Sequence, residues 1–330
     1  MNEFTPRVSV VVGAYNGAET VAACLESLLN QNYPRKAYDV IVVENGSTDG
    51  TGEVIKRFPV RLYHRQERGI PGARNLGIAE SQADIIATTD CDCVAHPDWL
   101  AELVKPYRSP EVGGVGGAIL AYRAKKRNIV ETFSDRYPPF RNLISGDNEF
   151  LPRIYGGNAS FRRGLLNQVG GYNERLLMAE DVDVSWRIQL ETRTELRYAP
   201  KAIIYHRHHV TRRGLARQYR GYGFGEILLD TLYGGCPGYP RPRAFQKKRI
   251  LGQMAVLPRY ILSMVYRTLL LALGKMSLSE AAEPYLWFLI ESNNIRGKVE
   301  ALRATRFMTE GRSVFQEKRD EFINRFYGHR

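Results

Sequence analysis

The run Ile85-Ile86-Ala87-Thr88-Thr89-Asp90-Cys91-Asp92 is an apolar β stretch that stops on two carboxylates spaced i, i+2. A strand ending in Asp-x-Asp presents both acids where loops gather over a sheet edge. Hard divalent cations take oxygen ligands, and Mg²⁺ typically uses one or two carboxylates and fills its remaining positions with phosphate and water. Asp90 and Asp92 therefore have the chemistry of a metal–diphosphate holder. An Asp-rich turn after a strand is the competing, purely structural reading, and the residues at the other strand ends decide between them.

Two earlier runs read as buried parallel strands, Arg7–Ala14 and Tyr38–Val43. The first ends in Ala14-Tyr15-Asn16 and the second in Glu44-Asn45-Gly46-Ser47, so in a parallel sheet these tips lie beside Asp90-Cys91-Asp92. An aromatic ring, an amide and carboxylates on one rim can hold a nucleoside: Tyr15 against the base, Asn45 on its edge and Asp90 near the ribose. Arg74, on a helix expected over Gly72–Glu80, could reach a phosphate.

The positioning elements follow from periodicity. Helical spacing marks Thr20–Asn30, and capping residues open a helix near Gly52–Arg57. A short strand is expected at Val60–His64. Strand–helix alternation from residue 7 to 90 argues for an α/β parallel sheet with ligands at the carboxyl ends of its strands. Further on, the pattern predicts a helix at Trp99–Tyr107, a strand at Gly113–Tyr122, and a basic, aromatic segment over 123–152 that is either mobile or acceptor-facing. It then predicts a loop-to-strand passage at Gly156–Arg162, helices at Leu165–Val169 and Asp181–Glu191, and a strand at Ala202–His206. Beyond Thr211 the pattern is helical, broken by the Gly/Pro-rich loop Gly234–Pro242.

The chain has 330 residues and 44% hydrophobic content, enough for a real core. Four scattered cysteines exclude a disulfide framework, and no second Cys-x-x-Cys or His pair stands at zinc-finger spacing. Charge is unevenly spread. Residues 1–200 hold 24 Lys/Arg and 25 Asp/Glu, whereas residues 201–330 hold 23 and 10, a net of +13. That asymmetry suggests an anionic partner for the C-terminal part. Within it, Arg259 and Arg267 interrupt the apolar segment Arg249–Gly274, so it is expected to fall short of the ~20 apolar residues of a spanning helix. Arg249, Gln253, Arg259, Ser263 and Arg267 share one helical face, and Pro258 should kink or split the helix. A basic amphipathic helix of this kind is either interfacial at a membrane or a lid on the catalytic domain. The N-terminus leads straight into a strand, which gives an expectation of no signal peptide and a cytoplasmic chain.

With these residues in view, the sequence resembles family 2 glycosyltransferases of the GT-A fold. The matching residues are Val8–Val12 with Tyr15-Asn16, Ser27–Gln31, Val42–Thr51, Gly72–Gly77, Asp90-Cys91-Asp92, Gly156–Arg162, Val169–Glu174 and Glu180–Arg187. Together they cover roughly residues 6–225. The resemblance implies a Rossmann-like nucleotide-diphospho-sugar transferase fold, with a mostly parallel sheet and helices on both faces. It also implies a GT-A catalytic domain over 1–225, split into a nucleotide-sugar half (1–122) and an acceptor half (123–225). A basic helical extension follows at 226–330. Position by position, Ala14, Tyr15, Asn16, Glu44, Asn45, Arg74 and Asp90 would serve the nucleotide, and Asp92 would bind Mn²⁺ or Mg²⁺, with His206 as either a further ligand, a phosphate contact or an exposed histidine. Asp181 would be the base with Glu180 beside it, and Gly157, Asn158, Asp183 and Arg187 would face the acceptor. Many members carry Asp-Asp where this chain has Glu44-Asn45, which leaves the donor nucleotide open.

Moving a sugar from a nucleoside diphosphate to a hydroxyl requires charge stabilisation at the leaving group, a positioned base and in-line substrates. Asp181 is the strong base candidate, and no carboxylate stands out as a covalent nucleophile, so single displacement with inversion is expected. The expected activity is thus a hexosyltransferase-type reaction from a UDP-sugar or another nucleotide sugar to a lipid-linked or polysaccharide acceptor, peripheral at the cytoplasmic face of the membrane. A nucleotidyltransferase would need basic residues after the first strand, where Ala14-Tyr15-Asn16-Gly17-Ala18 has none. A nucleic-acid binder would not explain the carboxylates, and no nucleic-acid partner is expected.

Overall fold

In the computed structural model, residues 4–122, 127–138, 150–176, 178–241 and 246–310 are described. In chain order the elements are β1 (Val8–Ala14), α1 (Val21–Leu29), β2 (Tyr38–Glu44), α2 (Thr51–Ile55), β3 (Arg61–His64), α3 (Ile70–Ala79), β4 (Ile85–Asp90), β5 (Cys93–Ala95), α4 (Trp99–Val104) and β6 (Val112–Ala121). Then come α5 (Ile129–Arg136), β7 (Ala159–Arg162), α6 (Arg163–Gln168), α7 (Glu180–Thr192), β8 (Glu195–His206), α8 (Arg212–Tyr233), α9 (Gln246–Met254), α10 (Leu257–Ala272) and α11 (Leu278–Glu310). They fall into two compact units, one made of residues 4–122 and 151–207, the other of residues 127–138, 150 and 208–310.

The first unit is built on one sheet of order β3-β2-β1-β4-β7-β6-β8-β5. β1 pairs in parallel with β2 and β4, and β2 with β3. The chain thus winds outward from β1 on one side and returns on the other, and a crevice opens at the carboxyl ends where that order reverses. Register puts Ala14 beside Glu44 and Gly13 beside Asp90, so the three expected strand tips do meet. The sheet is mostly parallel, since β6 also pairs in parallel with β8, but it carries antiparallel members. β7 runs antiparallel to β4 and β6, and β5 antiparallel to β8. β7 is not reached from β4 by a single crossover helix, so nothing forces it into parallel pairing.

β1 is buried on both faces, which is why its sequence lacks alternation. Val8, Val10, Val12 and Ala14 pack with Leu25, Leu28, Trp99 and Leu100, while Val11 packs with Ala73, Ile86, Tyr172 and Val184 on the opposite side. The one hydroxyl in the run, Ser9, is satisfied by Asp39 (2.6 Å) and Ser81 (2.7 Å). Two elements lack the expected form. β8 begins at Glu195, well before Ala202, and α5 occupies part of the segment 123–152 whose remaining residues largely lie outside the described ones.

In the second unit α8 and α11 cross at two glycines. An added Cβ on Gly223 would stand 2.0 Å from the Asn294 carbonyl oxygen, and one on Gly297 1.9 Å from that of Arg220. α5 adds Val130 and Phe133 to Leu215, Leu286 and Ile290. Pro258 sits in the first turn of α10, and the helix is split from α9 just before it. The Gln246–Ala272 stretch is, by length and composition, long and apolar enough to cross a membrane, with none of its apolar window buried. By that measure Arg259 and Arg267 do not by themselves make it too short. Arg267 is drawn inward, where it donates to Glu283 (3.0 Å) and to the Glu280 carbonyl (2.7 Å) of α11. Leu262, Val265, Tyr266 and Leu269 are left exposed.

α3 can lie against β1 because of Gly77, where a Cβ would come 2.3 Å from Val11 Cγ1. Replacing a helical glycine by alanine ordinarily stabilises by about 1 kcal/mol. Gly77→Ala should instead destabilise by roughly 1–3 kcal/mol through overpacking. Gly164→Ala in α6, where nothing lies within 4 Å, should be neutral or stabilising. Urea denaturation of the two variants checks the contrast, and a Gly77→Ala protein as stable as wild type would contradict the packing of α3 on β1.

Candidate active site

The β1 and β2 tips are stitched into one rim by side chain–backbone hydrogen bonds. The Asn16 amide donates to Ser47 Oγ (3.0 Å), and Asn16 Oδ1 accepts from the Thr48 amide (2.9 Å). Gly17 N donates to Thr51 Oγ1 (2.8 Å), and Ala18 N to Asp49 Oδ2 (3.0 Å). Asn16 holds φ = 47°, a left-handed conformation that asparagine tolerates better than most residues. Glu44 Oε1 accepts from the Ser47 amide at 2.5 Å. Burial pushes the Glu44 carboxyl up, but the bonds from Ser47 and from His64 outweigh it and hold it below the ordinary value.

The rim leaves Tyr15 39% exposed, with the Arg68 guanidinium carbon 5.1 Å from its ring centroid. Arg68 escapes sequence reasoning because no period or motif marks it, and only the fold of the loop after β3 brings it to Tyr15. Asn45 is 2% exposed. Its amide, oriented so that both ends are satisfied, donates to the Glu67 carbonyl (2.9 Å) and accepts from Gly69 N (3.0 Å). That amide therefore anchors the loop, and its hydrogen bonds are not turned toward a base edge.

At the β4 tip the ligating atoms of Asp90, Asp92 and Cys93 lie within 4.8 Å of one another. Across the β5–β8 pairing His206 stands opposite Cys93, and its Nε2 is 3.5 Å from Asp92 Oδ2. Dense surroundings push the Asp92 carboxyl up; His206 pulls it down and Asp90 pushes it up again. Burial raises the Cys93 thiol, and both aspartates add to that, which disfavours a thiolate there. The carboxylates and imidazole gathered here, with excess negative charge, suit a hard divalent cation.

Arg74 does not face a phosphate. It is 3% exposed, and its guanidinium joins two acids, with Nη2 3.1 Å from Asp90 Oδ1 and Nη1 2.8 Å from Glu180 Oε1. Burial opposes its charge, but Asp90, Tyr172, Glu180 and Asp181 raise its pKa above the ordinary arginine value. Glu180 is pushed up to about 8 by burial and by Asp181, against the pull of Arg74. Beside it at the start of α7, Asp181 Oδ2 accepts from the Gly156 amide (2.9 Å), and Oδ1 from the Val182 amide (2.8 Å). The Gly156 carbonyl in turn accepts from Thr88 Oγ1 (2.7 Å) of β4.

The residues expected at the acceptor divide. Gly157 is close to the acids, since an added Cβ would lie 3.1 Å from Asp90 Oδ2. Asn158 is instead fully buried. It accepts from Trp99 Nε1 (2.8 Å) and donates to the carbonyls of Ala118 (2.8 Å) and Ala202 (2.9 Å). Asp183, 2% exposed, is paired with Arg187 (2.8 Å), which also donates to the carbonyls of Val169 and Gly171. Asn158, Asp183 and Arg187 are thus scaffold: they satisfy backbone carbonyls and a buried charge rather than offering groups to an acceptor.

Residues 9–170 match the sequence model described as Glycosyl transferase family 2. The chain is 31% identical over 195 residues to Glycosyltransferase AglE of Haloferax volcanii, a match covering 55% of this chain and 61% of that one. It is 28% identical over 252 residues to Glucosyl-dolichyl phosphate glucuronosyltransferase of the same organism, covering 69% and 78%. The chain thus spans less than two thirds of the length of AglE. The solved structure of the mannosyltransferase PcManGT from Pyrobaculum calidifontis, in complex with GDP-Man and Mn²⁺, has a like fold. Its TM-score is 0.59 at 21% identity, covering 91% of this chain and 88% of that one. The fold is the GT-A fold, and residues 9–170, which carry the rim, Arg74 and the β4 acids, are the part of the chain that matches glycosyl transferase family 2.

Proposed function

We propose that the protein is an inverting glycosyltransferase that moves a sugar from a nucleotide-diphosphate sugar to a hydroxyl of a lipid-linked or polysaccharide acceptor. The observation that carries this reading is the buried Arg74, bonded at once to Asp90 at the β4 tip and to Glu180 at the start of α7. It ties a donor-side acid to the Glu180-Asp181 pair on one crevice. Tyr15, half-framed by Arg68, is the surface for a base, and Ala14, Asn16 and Glu44 shape the rim under it. Asp90 serves the ribose. Asp92 and His206 are suited to hold Mn²⁺ or Mg²⁺, which when bound would neutralise the diphosphate as the leaving group takes on charge.

Asp181 is the base. Asp90 and Glu180 are both bonded to Arg74, whereas Asp181 is oriented by two backbone amides and is partly exposed. A carboxylate so held can accept the proton of an incoming hydroxyl. One displacement at the anomeric carbon then inverts its configuration. A UDP-sugar is one donor expected from the sequence, while the mannosyltransferase of like fold is described with GDP-Man, so a donor panel must contain both. A relative named for glucosyl-dolichyl phosphate supports a lipid phosphate-linked acceptor.

The second unit is read as the membrane-facing part of the enzyme. α9 and α10 turn polar groups inward: Arg249 donates to Asp230 (2.5 Å) and Glu226 (3.1 Å), and Gln253 Oε1 accepts from Lys298 (2.8 Å). The outward face carries Leu251, Leu262, Val265, Tyr266, Leu269 and Leu273, with Lys247 and Lys248 before it and Lys275 after it. An apolar face flanked by lysines fits an anionic bilayer surface at the cytoplasmic side.

Asp181→Asn should abolish transfer, by ~10²-fold or more as expected for loss of a general base, with nucleotide-diphosphate affinity nearly unchanged. Retained turnover would sink the assignment. Asp92→Asn should lose stimulation by Mn²⁺, and isothermal titration with Mn²⁺ and a nucleoside diphosphate should show weakened binding. Unaltered Mn²⁺ affinity would remove Asp92 from the metal site. Co-sedimentation with vesicles should be strong on anionic and weak on neutral lipid, and Leu262→Glu with Leu269→Glu should lower it at unchanged Tm. Equal pelleting of that variant would refute the bilayer role of α10.

A further inference from the structure

The guanidinium of Arg74 is sealed from every side by groups that lead toward the reacting centre. Asp90 and Glu180 take its two terminal nitrogens at 3.1 and 2.8 Å, and the Tyr172 ring lies 5.3 Å from its carbon. The fourth wall is Gly156, where a Cβ would come within 2.4 Å of the guanidinium. Any other residue at 156 would therefore force the two apart. Gly156 is also the residue whose amide orients Asp181, and whose carbonyl is tied to Thr88. The next residue on α3 repeats the grip. Asn75 accepts from the Tyr172 amide and donates to the Tyr172 carbonyl, both at 2.8 Å. Gly171, at φ = 71°, lies against it, where a Cβ would meet Asn75 Oδ1 at 2.6 Å. α7 then opens after Ala179 at φ = 64°, a left-handed conformation costly for alanine and held only because its surroundings are fixed.

We propose that Arg74 is a positioning residue for the transfer step: touching neither substrate, it fixes the Asp181 base against the Asp90 end of the donor site, through Glu180 on one side and the Gly156 loop on the other. This inference rests on the glycosyl-transfer reading above. It replaces the sequence expectation of a phosphate contact, which the burial of the guanidinium excludes. The shared fork is what matters. A planar guanidinium presents nitrogens to two carboxylates in a rigid geometry, whereas a lysine ammonium is a single point on a flexible stem and cannot hold both in register. A displacement of about 1 Å between base and donor costs on the order of 10²-fold in rate while leaving ground-state binding largely intact.

The test compares Arg74→Lys and Glu180→Gln with the wild type. Both keep a polar partner in the buried site, so folding survives better than with an apolar replacement. Three quantities are measured: Tm, nucleoside-diphosphate affinity with Mn²⁺ by calorimetry, and kcat and donor KM for transfer. The expected result is a kcat lowered ~10-fold or more in each, with nucleoside-diphosphate Kd and donor KM within about twofold of wild type. The double variant should be no worse than the worse single one, since the two residues act as one unit. Wild-type kcat in Arg74→Lys, with or without a fall in Tm, would reduce Arg74 to a stabilising ion pair and overturn the proposal. A raised nucleoside-diphosphate Kd at unchanged kcat would restore the phosphate contact and overturn it as well. A wild type that transfers from no nucleotide sugar would instead overturn the glycosyl-transfer reading, and this inference with it.

Discussion

A guanidinium removed from water must bring its counter-charges with it, because an unpaired buried charge costs several kcal/mol. Arg74 meets that demand with two acids from distant parts of the chain, Asp90 sixteen residues on and Glu180 106 residues on. Satisfying one cation therefore closes the first unit: α3, the β4 tip and the start of α7 cannot be arranged independently. Thr88, Thr89 and Asn75 strengthen the same closure by bonding the backbone at Gly156, Gly157 and Tyr172. The acids are kept at the crevice by the cation, and the cation stays charged because the acids are there. The arrangement leaves negative charge in excess around Asp92 and Glu180, both of which are pushed up. Such an excess is tolerable where a cation is part of the working state.

Much of this frame was legible in the sequence. Apolar β-branched runs located β1, β2 and β4, and the order of polar residues after them identified the rim. Parallel pairing then follows from alternation with helices, and register does the rest. What could not be read was which polar side chains the fold consumes. Arg74, Asn45 and Asn158 look like ligand groups by residue type, because arginine and asparagine are seldom fully buried. Each is nonetheless taken up by partners far away in sequence: Asp90 and Glu180, the Glu67–Gly69 backbone, and Trp99 with two sheet carbonyls. No local pattern announces such partners. Arg68 is the converse, an exposed residue without a motif that the loop carries to Tyr15.

Two misses had a local signal. α5 opens with Asn128 and Glu131 in a reciprocal capping box, the Asn side chain accepting from the Glu131 amide and the Glu side chain from the Asn128 amide. That asparagine-to-glutamate spacing is a helix start even where the following residues lack a clean period. The first half of β8 lacks a strand signature because its buried residues, Leu196 and Ala199, are spaced by three, whereas a strand side-chain pattern repeats every two. The β6–β8 register is unbroken from Leu196 to Ala199 and shifts on either side of that stretch, so the alternation is interrupted along the strand as a whole.

The second unit keeps an apolar core around Leu215, Leu286 and Ile290, but elsewhere it buries charge and exposes leucines. Asp230 is fully buried, Lys298 nearly so, and they share a network with Glu226, Arg241 and Arg249. α10 meanwhile has no buried residue. In water this arrangement is doubly unfavourable, because the network bears desolvation costs while a row of leucines and valines stays wet. Its helices meet at Gly223 and Gly297, with backbone against backbone. Close approach at small residues, with polar side chains bonded between helices, is also how helices associate within membranes. A medium less polar than water along α10 removes the contradiction: the leucines then face a matching solvent, and the inward charges are the cohesive part of the unit. On this view Arg267 is less an interruption of an apolar helix than the group that fixes which of its faces is left for lipid.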